Sequence, residues 1–481
     1  MFFITFLKIC SILLSIIGIT FLIPLSVAFA YGESSVYVAF IIPMLISFAF
    51  VLIVNIPTRK IKFHINTKQT FLIVALSWII ASFMGSIPLY FSDCFSSYSD
   101  ALFESFSGFS TTGGTVLIDI DHLPRSINVW RCLTHWIGGM GIVTLTVALL
   151  PLLGVGGFQL IKAETTGPEK GKVTARITTT AKVLWLIYIS FTIIEIIALK
   201  LAGMDFVDAM AHSFATLGTG GFSTRTASIG AYNSLKIDIV ITIFMFLSGI
   251  NFSLFFYLIA RKFKDIFDNS ELKAYVGIII VLIIAATCTL IPYYKNMGDS
   301  LRYSSFQIIS LLNTTGFTTV DYELWPTSTQ FILLLTFFIG GCSGSTSGGI
   351  KVVRWVILHK QVQNETSRML HPHGVFSIRL NGKVGRKDIV FNVTAFMTVY
   401  FILVGLTTFV GTLGHLDLWT AFTGALSMVG NVGPAFGLLG PSHNYQFLPS
   451  FVKYWYCFAM LAGRLELYTM LIFFMPAYWK K

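Results

Sequence analysis

The sequence predicts an all-α polytopic membrane protein of ten transmembrane helices, with four span–pore helix–filter–span repeats set pseudo-fourfold around one pore and a helix pair ahead of them. Three observations predict it. Hydrophobic residues make up 55% of the 481 residues and charged residues 11%, and the mean hydropathy is +0.77, a balance that soluble domains of this length do not show. Spanning a bilayer takes about 20 apolar residues, and ten stretches qualify, near 9–30, 37–56, 70–91, 130–152, 183–201, 237–259, 275–294, 329–357, 388–412 and 451–476. Four short polar stretches centred on glycine interrupt the apolar sequence: Ser110-Thr111-Thr112-Gly113-Gly114-Thr115, Gly218-Thr219-Gly220-Gly221-Phe222-Ser223, Asn313-Thr314-Thr315-Gly316-Phe317-Thr318 and Gly430-Asn431-Val432-Gly433-Pro434.

The first stretch carries one lysine and a long apolar run without a persuasive small-residue cleavage site, so it reads as a retained span and not a signal peptide. Basic residues then mark every second connection. Arg59, Lys60, Lys62 and Lys68 follow span two, Lys162, Lys170, Lys172, Arg176 and Lys182 follow span four, and Arg261, Lys262, Lys264 and Lys273 follow span six. Lys360, Arg368, Arg379, Lys383, Arg386 and Lys387 follow span eight, and the chain closes on Lys480 and Lys481. Lys and Arg accumulate in cytoplasmic loops, which puts both termini in the cytoplasm and all four glycine loops on the outer side. The formal charge of +11 follows from that orientation, and no nucleic-acid partner is needed to explain it. The six cysteines form no CxxC or metal-like spacing and read as packing residues, with Cys94 exposed outside and without a disulfide partner.

Taking Gly113, Gly220, Gly316 and Gly433 as equivalent gives a loose repeat of about one hundred residues. A small-residue break keeps step inside the span after each loop, at Ile137-Gly138-Gly139-Met140, Leu247-Ser248-Gly249-Ile250, Ile339-Gly340-Gly341-Cys342 and Leu461-Ala462-Gly463-Arg464. Before each loop runs a segment too short to cross, such as Asp100–Phe106 or Asp208–Phe214. The divisions that follow are an N-terminal two-helix unit at 1–66 and pore repeats at 67–160, 161–262, 263–365 and 366–481. Four duplicated hairpins without a pore, packed through glycine, are the alternative. Non-helical backbone at membrane depth must line water or be buried in protein, and four facing loops satisfy that condition.

Half-helices ending at the loops aim their negative dipole ends beyond their C-termini, each about half an elementary charge. Glycine reaches φ > 0 freely, which lets consecutive carbonyls point one way. The candidate ion ligands are Thr111, Thr112, Gly113, Gly218, Thr219, Gly220, Asn313, Thr314, Thr315, Gly316, Asn431, Val432 and Gly433. The loops hold no carboxylate, and neutral oxygens suit a weakly hydrated monovalent cation better than Ca²⁺ or Mg²⁺. Potassium fits on chemistry, with sodium left open.

These residues resemble the TrkH/TrkG branch of the Trk/Ktr/HKT superfamily of bacterial and plant cation transporters over nearly the whole chain. The resemblance rests on Leu133-Thr134-His135-Trp136-Ile137-Gly138-Gly139-Met140-Gly141, on Gly340-Gly341-Cys342-Ser343-Gly344-Ser345-Thr346-Ser347-Gly348-Gly349-Ile350-Lys351, on Leu461-Ala462-Gly463-Arg464-Leu465-Glu466 and on the four loops. The extra N-terminal pair is similar to that of TrkH. The resemblance implies channel-subunit-like modules, a glycine at the key position of each loop for K⁺, a homodimer, a TrkA-type cytoplasmic nucleotide-binding regulatory subunit and residence in a bacterial cytoplasmic (inner) membrane. Sodium-selective plant members replace the first glycine by serine, and here Gly113 stands in that place. The fourth loop, Asn431-Val432-Gly433-Pro434, departs most from the pattern.

Interior glycines cost a helix about 1 kcal/mol each relative to alanine, so Gly340–Gly349 predicts a helix break. It reads as a static kink or as a movable gate at Gly344, Ser345, Thr346, Ser347, Gly348 and Gly349; the resemblance implies the gate. Arg464 lies deep in the last span, where a charge is functional by default, and is expected to donate to carbonyls of the Gly344–Gly349 loop; neutralisation by Glu466 or Glu195 is the structural alternative. His135, His212 and Trp136 read as packing residues. Gly167–Lys172 superficially resembles a phosphate loop but lacks its spacing. The sequence carries no nucleophile–base or metal constellation and no nucleotide fold, which argues against an enzyme and an ATP-driven pump. A secondary K⁺/H⁺ or K⁺/Na⁺ symporter or a sodium-permeable HKT-like pore is the alternative to channel-like K⁺ permeation.

Overall fold

The structure is a computed structural model that describes residues 2–58, 67–141, 177–381, 383–384 and 389–480. The regular secondary structure of the described residues is helical apart from one two-residue antiparallel pairing, β1 (Arg379–Leu380) with β2 (Lys383–Val384). It opens on α1 (Phe2–Thr20), α2 (Leu22–Tyr31) and α3 (Tyr37–Thr58). α1 packs along α3 and onto α4 (Thr67–Phe91), and α2 lies on α6 (Arg125–Gly139), where Phe21 meets Trp130 at 4.5 Å between ring centroids. The leading helices are thus packed onto the helices that follow them.

From α4 onward one order of elements recurs four times: a long helix, a short helix, a non-helical loop and a helix that breaks. The first instance is α4, α5 (Tyr98–Phe109) and α6. The second is α7 (Ile177–Leu201), α8 (Phe206–Gly218), α9 (Leu235–Ser248) and α10 (Phe252–Ile259), followed by the short α11 (Phe263–Phe267). The third is α12 (Ser270–Tyr294), α13 (Met297–Leu312), α14 (Thr327–Thr336) and α15 (Val352–Leu370). The last is α16 (Ile389–Leu413), α17 (Leu418–Gly430), α18 (Ser450–Arg464) and α19 (Tyr468–Leu471), with α20 (Pro476–Trp479) ending the described chain.

The short helices start for a local reason. Ser97, Asp205, Asn296 and Asp417 each sit ahead of one of them, and each side chain accepts a hydrogen bond from a first-turn amide. Such a cap is worth about 1 kcal/mol, so Asp417→Ala should lower stability by about that much in a detergent unfolding titration. Three of the four short helices also lean on the previous unit: α8 on α6, α13 on α9, and α5 on α18 of the last unit.

Among the described residues six helices are long and apolar enough to cross a membrane, and eight if two bent pairs each count as one span. The protein is therefore a multi-pass membrane protein, but ten unbroken spans are not present among the described residues. The stretch 237–259 bends by 93° between α9 and α10, and 451–476 bends by 118° after α18. Backbone geometry explains the second bend, since Glu466 and Leu467 both take positive φ, 56° and 60°. The stretch 329–357 is helical only to Thr336 and again from Val352. The far half of 130–152 lies outside the described residues, as do Arg59, Lys60, Lys62, Lys162, Lys170, Lys172, Arg176, Arg386, Lys387 and the Gly167–Lys172 segment.

All six cysteines are free. Cys288, read from sequence as a packing residue, is exposed on α12, while Cys94 is half-buried.

Candidate ion site and inner loop

The four loops share one backbone program. Thr112, Gly220, Thr315 and Val432 each donate their amide to the carbonyl five residues back, Ser107, Ala215, Ser310 and Ser427, at 2.8–2.9 Å. The residue before each is left-handed: Thr111, Thr219, Thr314 and Asn431, with φ of 53–56°. This is a Schellman-type end, which satisfies orphan carbonyls and stops the helix. The residue after each is a glycine with positive φ: Gly113 (82°), Gly221 (79°), Gly316 (81°) and Gly433 (100°).

That register corrects the second loop. Gly220 aligns with Thr112, Thr315 and Val432, and it is Gly221 that aligns with Gly113, Gly316 and Gly433. Gly218 is also displaced from its expected role: it is the last residue of α8 and packs against the His135 carbonyl and Gly139 of α6. Asn313 turns away from the other loops, donating to the Met245 carbonyl at 2.9 Å and accepting from Tyr275 at 2.9 Å.

The remaining candidates meet in a closed cycle. A Cβ on Gly113 would crowd the Gly220 carbonyl oxygen, one on Gly221 the Thr315 carbonyl, one on Gly316 the Val432 carbonyl, and one on Gly433 the Thr112 carbonyl, each inside 3.0 Å. Loop one therefore touches two, two touches three, three touches four, and four returns to one. A side chain at any of these glycines would push a carbonyl of the neighbouring loop out of place.

All four glycines line one vestibule, which also holds Thr115, Thr318 and Arg131. Below them the hydroxyls of Thr111 and Thr315 are buried with no hydrogen-bond partner among the described residues. Thr219 donates to its neighbour's carbonyl at 2.7 Å, and Asn431 donates to Thr112 Oγ1 and to the Met460 carbonyl, both at 2.9 Å. The short helices α5, α8, α13 and α17 end at these loops, so four negative dipole ends converge there.

On the opposite side of the loops lies a second cavity of about 140 Å³, lined by Gly139, Gly344, Ser345, Ser347, Gly348, Gly349, Lys351 and Arg464 among others. The Gly344–Gly349 segment crosses it without helical structure. Its stems are tied by Gly340 N–H to the Ile350 carbonyl (2.8 Å) and Val352 N–H to the Gly341 carbonyl (3.2 Å). Gly348 N–H donates to Thr314 Oγ1 at 2.7 Å.

Arg464 donates to the Thr346 carbonyl at 2.7 Å and to the carbonyls of Gly138 and Gly139 at 2.7 and 2.9 Å. It thereby fastens the loop to the broken end of α6. Glu466 pairs instead with Arg354. Glu195 is fully buried on α7 with neither carboxylate oxygen hydrogen-bonded among the described residues. His135 and His212 are buried and hydrogen-bonded to carbonyls of Gly108 and Asp208, each at 2.8 Å, and Trp136 bonds Thr192 Oγ1 at 2.9 Å.

Two residues that sequence reasoning passed over also hold the loop. Lys351 is buried and donates to the Ser347 carbonyl. Glu271 accepts from the amides of Ser343 (2.7 Å) and Val353 (3.1 Å), one on each stem. The signal was available, since each is an ionisable residue within or at the edge of an apolar span, the pattern that singled out Arg464.

Comparison with known proteins gives one consistent picture. A family model described as TrkH, Cation transport protein, matches residues 37–481. The Trk system potassium uptake protein TrkH of Escherichia coli K12 is 40% identical over 434 residues, covering 88% of this chain and 89% of that protein. TrkG of the same organism is 36% identical over 482 residues, covering 98% and 97%. The crystal structure of the potassium transporter TrkH from Vibrio parahaemolyticus superposes with a TM-score of 0.88 at 34% identity, over 100% of both chains.

Proposed function

The chain belongs to the TrkH family of cation transport proteins, and from that premise we propose that it is the membrane subunit of a Trk-type potassium-uptake system. K⁺ permeates it in a channel-like way, through four glycine-centred loops set pseudo-fourfold around one axis. The observation that carries this reading is the closed cycle in which each glycine faces the next loop's carbonyl. Replacing water around K⁺ requires several carbonyl and hydroxyl oxygens aimed at one axis, and the Thr111 and Thr315 hydroxyls, without a hydrogen-bond partner among the described residues, fit that requirement.

The units are those read from the sequence, with pore repeats at 67–160, 161–262, 263–365 and 366–481 after a helix pair at 1–66. Broken second helices then count as spans, which brings the number to ten. The vestibule faces outward and the basic connections face the cytoplasm of a bacterial inner membrane. The membrane potential favours entry by about 2.3 kcal/mol per charge per 100 mV. A homodimer and a cytoplasmic TrkA-type nucleotide-binding partner complete the system.

The Gly344–Gly349 loop is the gate, and Arg464 is the latch that holds it under the filter. A hydrogen bond to a charged donor is worth about 1.5–3 kcal/mol, so Arg464→Ala should raise K⁺ flux by at least about tenfold with insertion unchanged. Unchanged flux in proteoliposomes would remove Arg464 from the gate.

One observation favours a second reading: Glu195 is a buried carboxylate that no charged group pairs with among the described residues, as a proton-coupled symporter requires. Purified protein in liposomes with a K⁺ gradient and no other driving ion separates the two. K⁺ flux without proton movement supports the pore, whereas flux that needs a proton gradient and disappears in Glu195→Gln supports symport.

A further inference from the structure

We propose that Thr314 couples the filter to the gate, so that ion occupancy above and loop position below are linked through one hydroxyl. The inference rests on reading Gly344–Gly349 as the gate. Four left-handed residues occupy equivalent places at the inner edge of the loops, and their side chains do different things. Thr111 Oγ1 has no partner among the described residues, Thr219 Oγ1 bonds the adjacent carbonyl of Gly218, and Asn431 ties loop four to Thr112 and to α18. Thr314 Oγ1 accepts the amide of Gly348 at 2.7 Å.

The surroundings leave little freedom in that contact. Thr314 is 1% exposed, and Thr315, which follows it, presents its carbonyl to Gly221 in the filter cycle. Gly348 also presses on loop four, since a Cβ there would lie 2.6 Å from the Gly430 carbonyl oxygen and 2.8 Å from Asn431 Cβ. Glycine is needed at position 348 for the gate loop to sit this close under two filter loops at once.

Two consequences follow. When the loop withdraws, Thr314 Oγ1 loses its donor and becomes an oxygen facing the conduction path. A cation at the innermost position then competes with the Gly348 amide for that oxygen. Ion binding and loop release therefore favour one another, and linkage makes the effect reciprocal. Incoming K⁺ helps to open its own gate, and a closed gate removes one ligand from the filter.

The test reads loop position separately from flux. A cysteine at Ser345 in a Cys94→Ala/Cys288→Ala background is labelled with a membrane-impermeant maleimide from the inner side, at a series of K⁺ concentrations. Labelling should rise with K⁺ and should still do so in Thr314→Ser, which keeps the acceptor. In Thr314→Val it should be about fivefold faster without K⁺, the population change of one buried hydrogen bond, and flat as K⁺ is added. Thr314→Ala carries the same expectation with less added bulk should the valine variant fail to fold.

Wild-type K⁺ dependence in both acceptor-free variants would overturn the coupling. Arg464→Ala in the same background distinguishes the two levels of the argument. Faster labelling there with no effect of Thr314→Val leaves the gate standing and removes the coupling. No change with Arg464→Ala or with K⁺ removes the gate reading and the coupling together.

Discussion

Gly221→Ala is expected to lose K⁺ flux that no second substitution at His135 can restore, whereas flux lost in Gly220→Ala should return in part when His135 is also replaced by alanine. The two glycines are adjacent, but they are needed for different reasons. Gly221 has φ of 79°, and a Cβ there meets the Thr315 carbonyl, which is main chain of the next loop. The left-handed conformation alone costs an alanine about 1–2 kcal/mol, or roughly tenfold, and the displaced carbonyl belongs to the proposed filter. Gly220 is not left-handed, and its Cβ would meet the His135 ring. Removing that ring opens the space, although the His135 bond to the Gly108 carbonyl is lost with it. Proteoliposome K⁺ flux for the two single and two double variants checks the register directly. Recovery in the Gly221 pair, or none in the Gly220 pair, would return the second loop to the spacing that places Gly220 in line with Gly113.

This register shows where composition stops being informative. Gly218-Thr219-Gly220-Gly221 contains three glycines, and counting residues cannot choose among them. The choice is made by the amide of Gly220 reaching the Ala215 carbonyl and by Thr219 turning left-handed, which are properties of one chain reversal and not of a residue type. The existence of the four loops, their spacing and the breaks near Gly138, Gly249, Gly340 and Gly463 were legible because glycine in an apolar span has few other uses. Hydropathy read through the breaks, since an apolar window gives the same average across a 93° bend. Asn313 and Asn431 look alike in sequence, yet one anchors to α9 and α12 and the other reaches loop one. Their partners are set by packing between distant units, and no local pattern encodes it. The same holds for Arg464: its charge in a span marked it, but its bonds to Gly138 and Gly139 end on carbonyls that any residue would supply.

Glu104→Ala is expected to be the most destabilising single change in the vestibule wall, costing about 3–5 kcal/mol, the range for breaking a buried ion pair from one side. Glu104 and Arg131 are each 0% exposed at the side chain and approach to 2.7 Å. The carboxylate also accepts from Thr115 Oγ1 at 2.9 Å and from the Val116 amide at 3.0 Å. It therefore fixes the segment that leaves the first glycine loop. Arg131 reaches onward to the Ser223 carbonyl at 3.3 Å in the segment leaving the second loop. Removing the carboxylate strands a guanidinium beside the vestibule, so flux should fall along with stability, because an uncompensated positive charge there repels the cation. Glu104→Gln keeps acceptor oxygen for the Val116 amide and should lose less. Glu104→Ala combined with Arg131→Met should regain much of the stability, since an apolar pair of similar volume often equals a buried ion pair. The exposed pair Arg125–Asp205 sets the scale: both side chains are 45% exposed, and Arg125→Ala should cost under about 1 kcal/mol. Thermal unfolding of the detergent-solubilised variants orders the four, and a Glu104→Ala protein as stable as Arg125→Ala would mean that water reaches Arg131 and that the vestibule wall is not sealed at this pair.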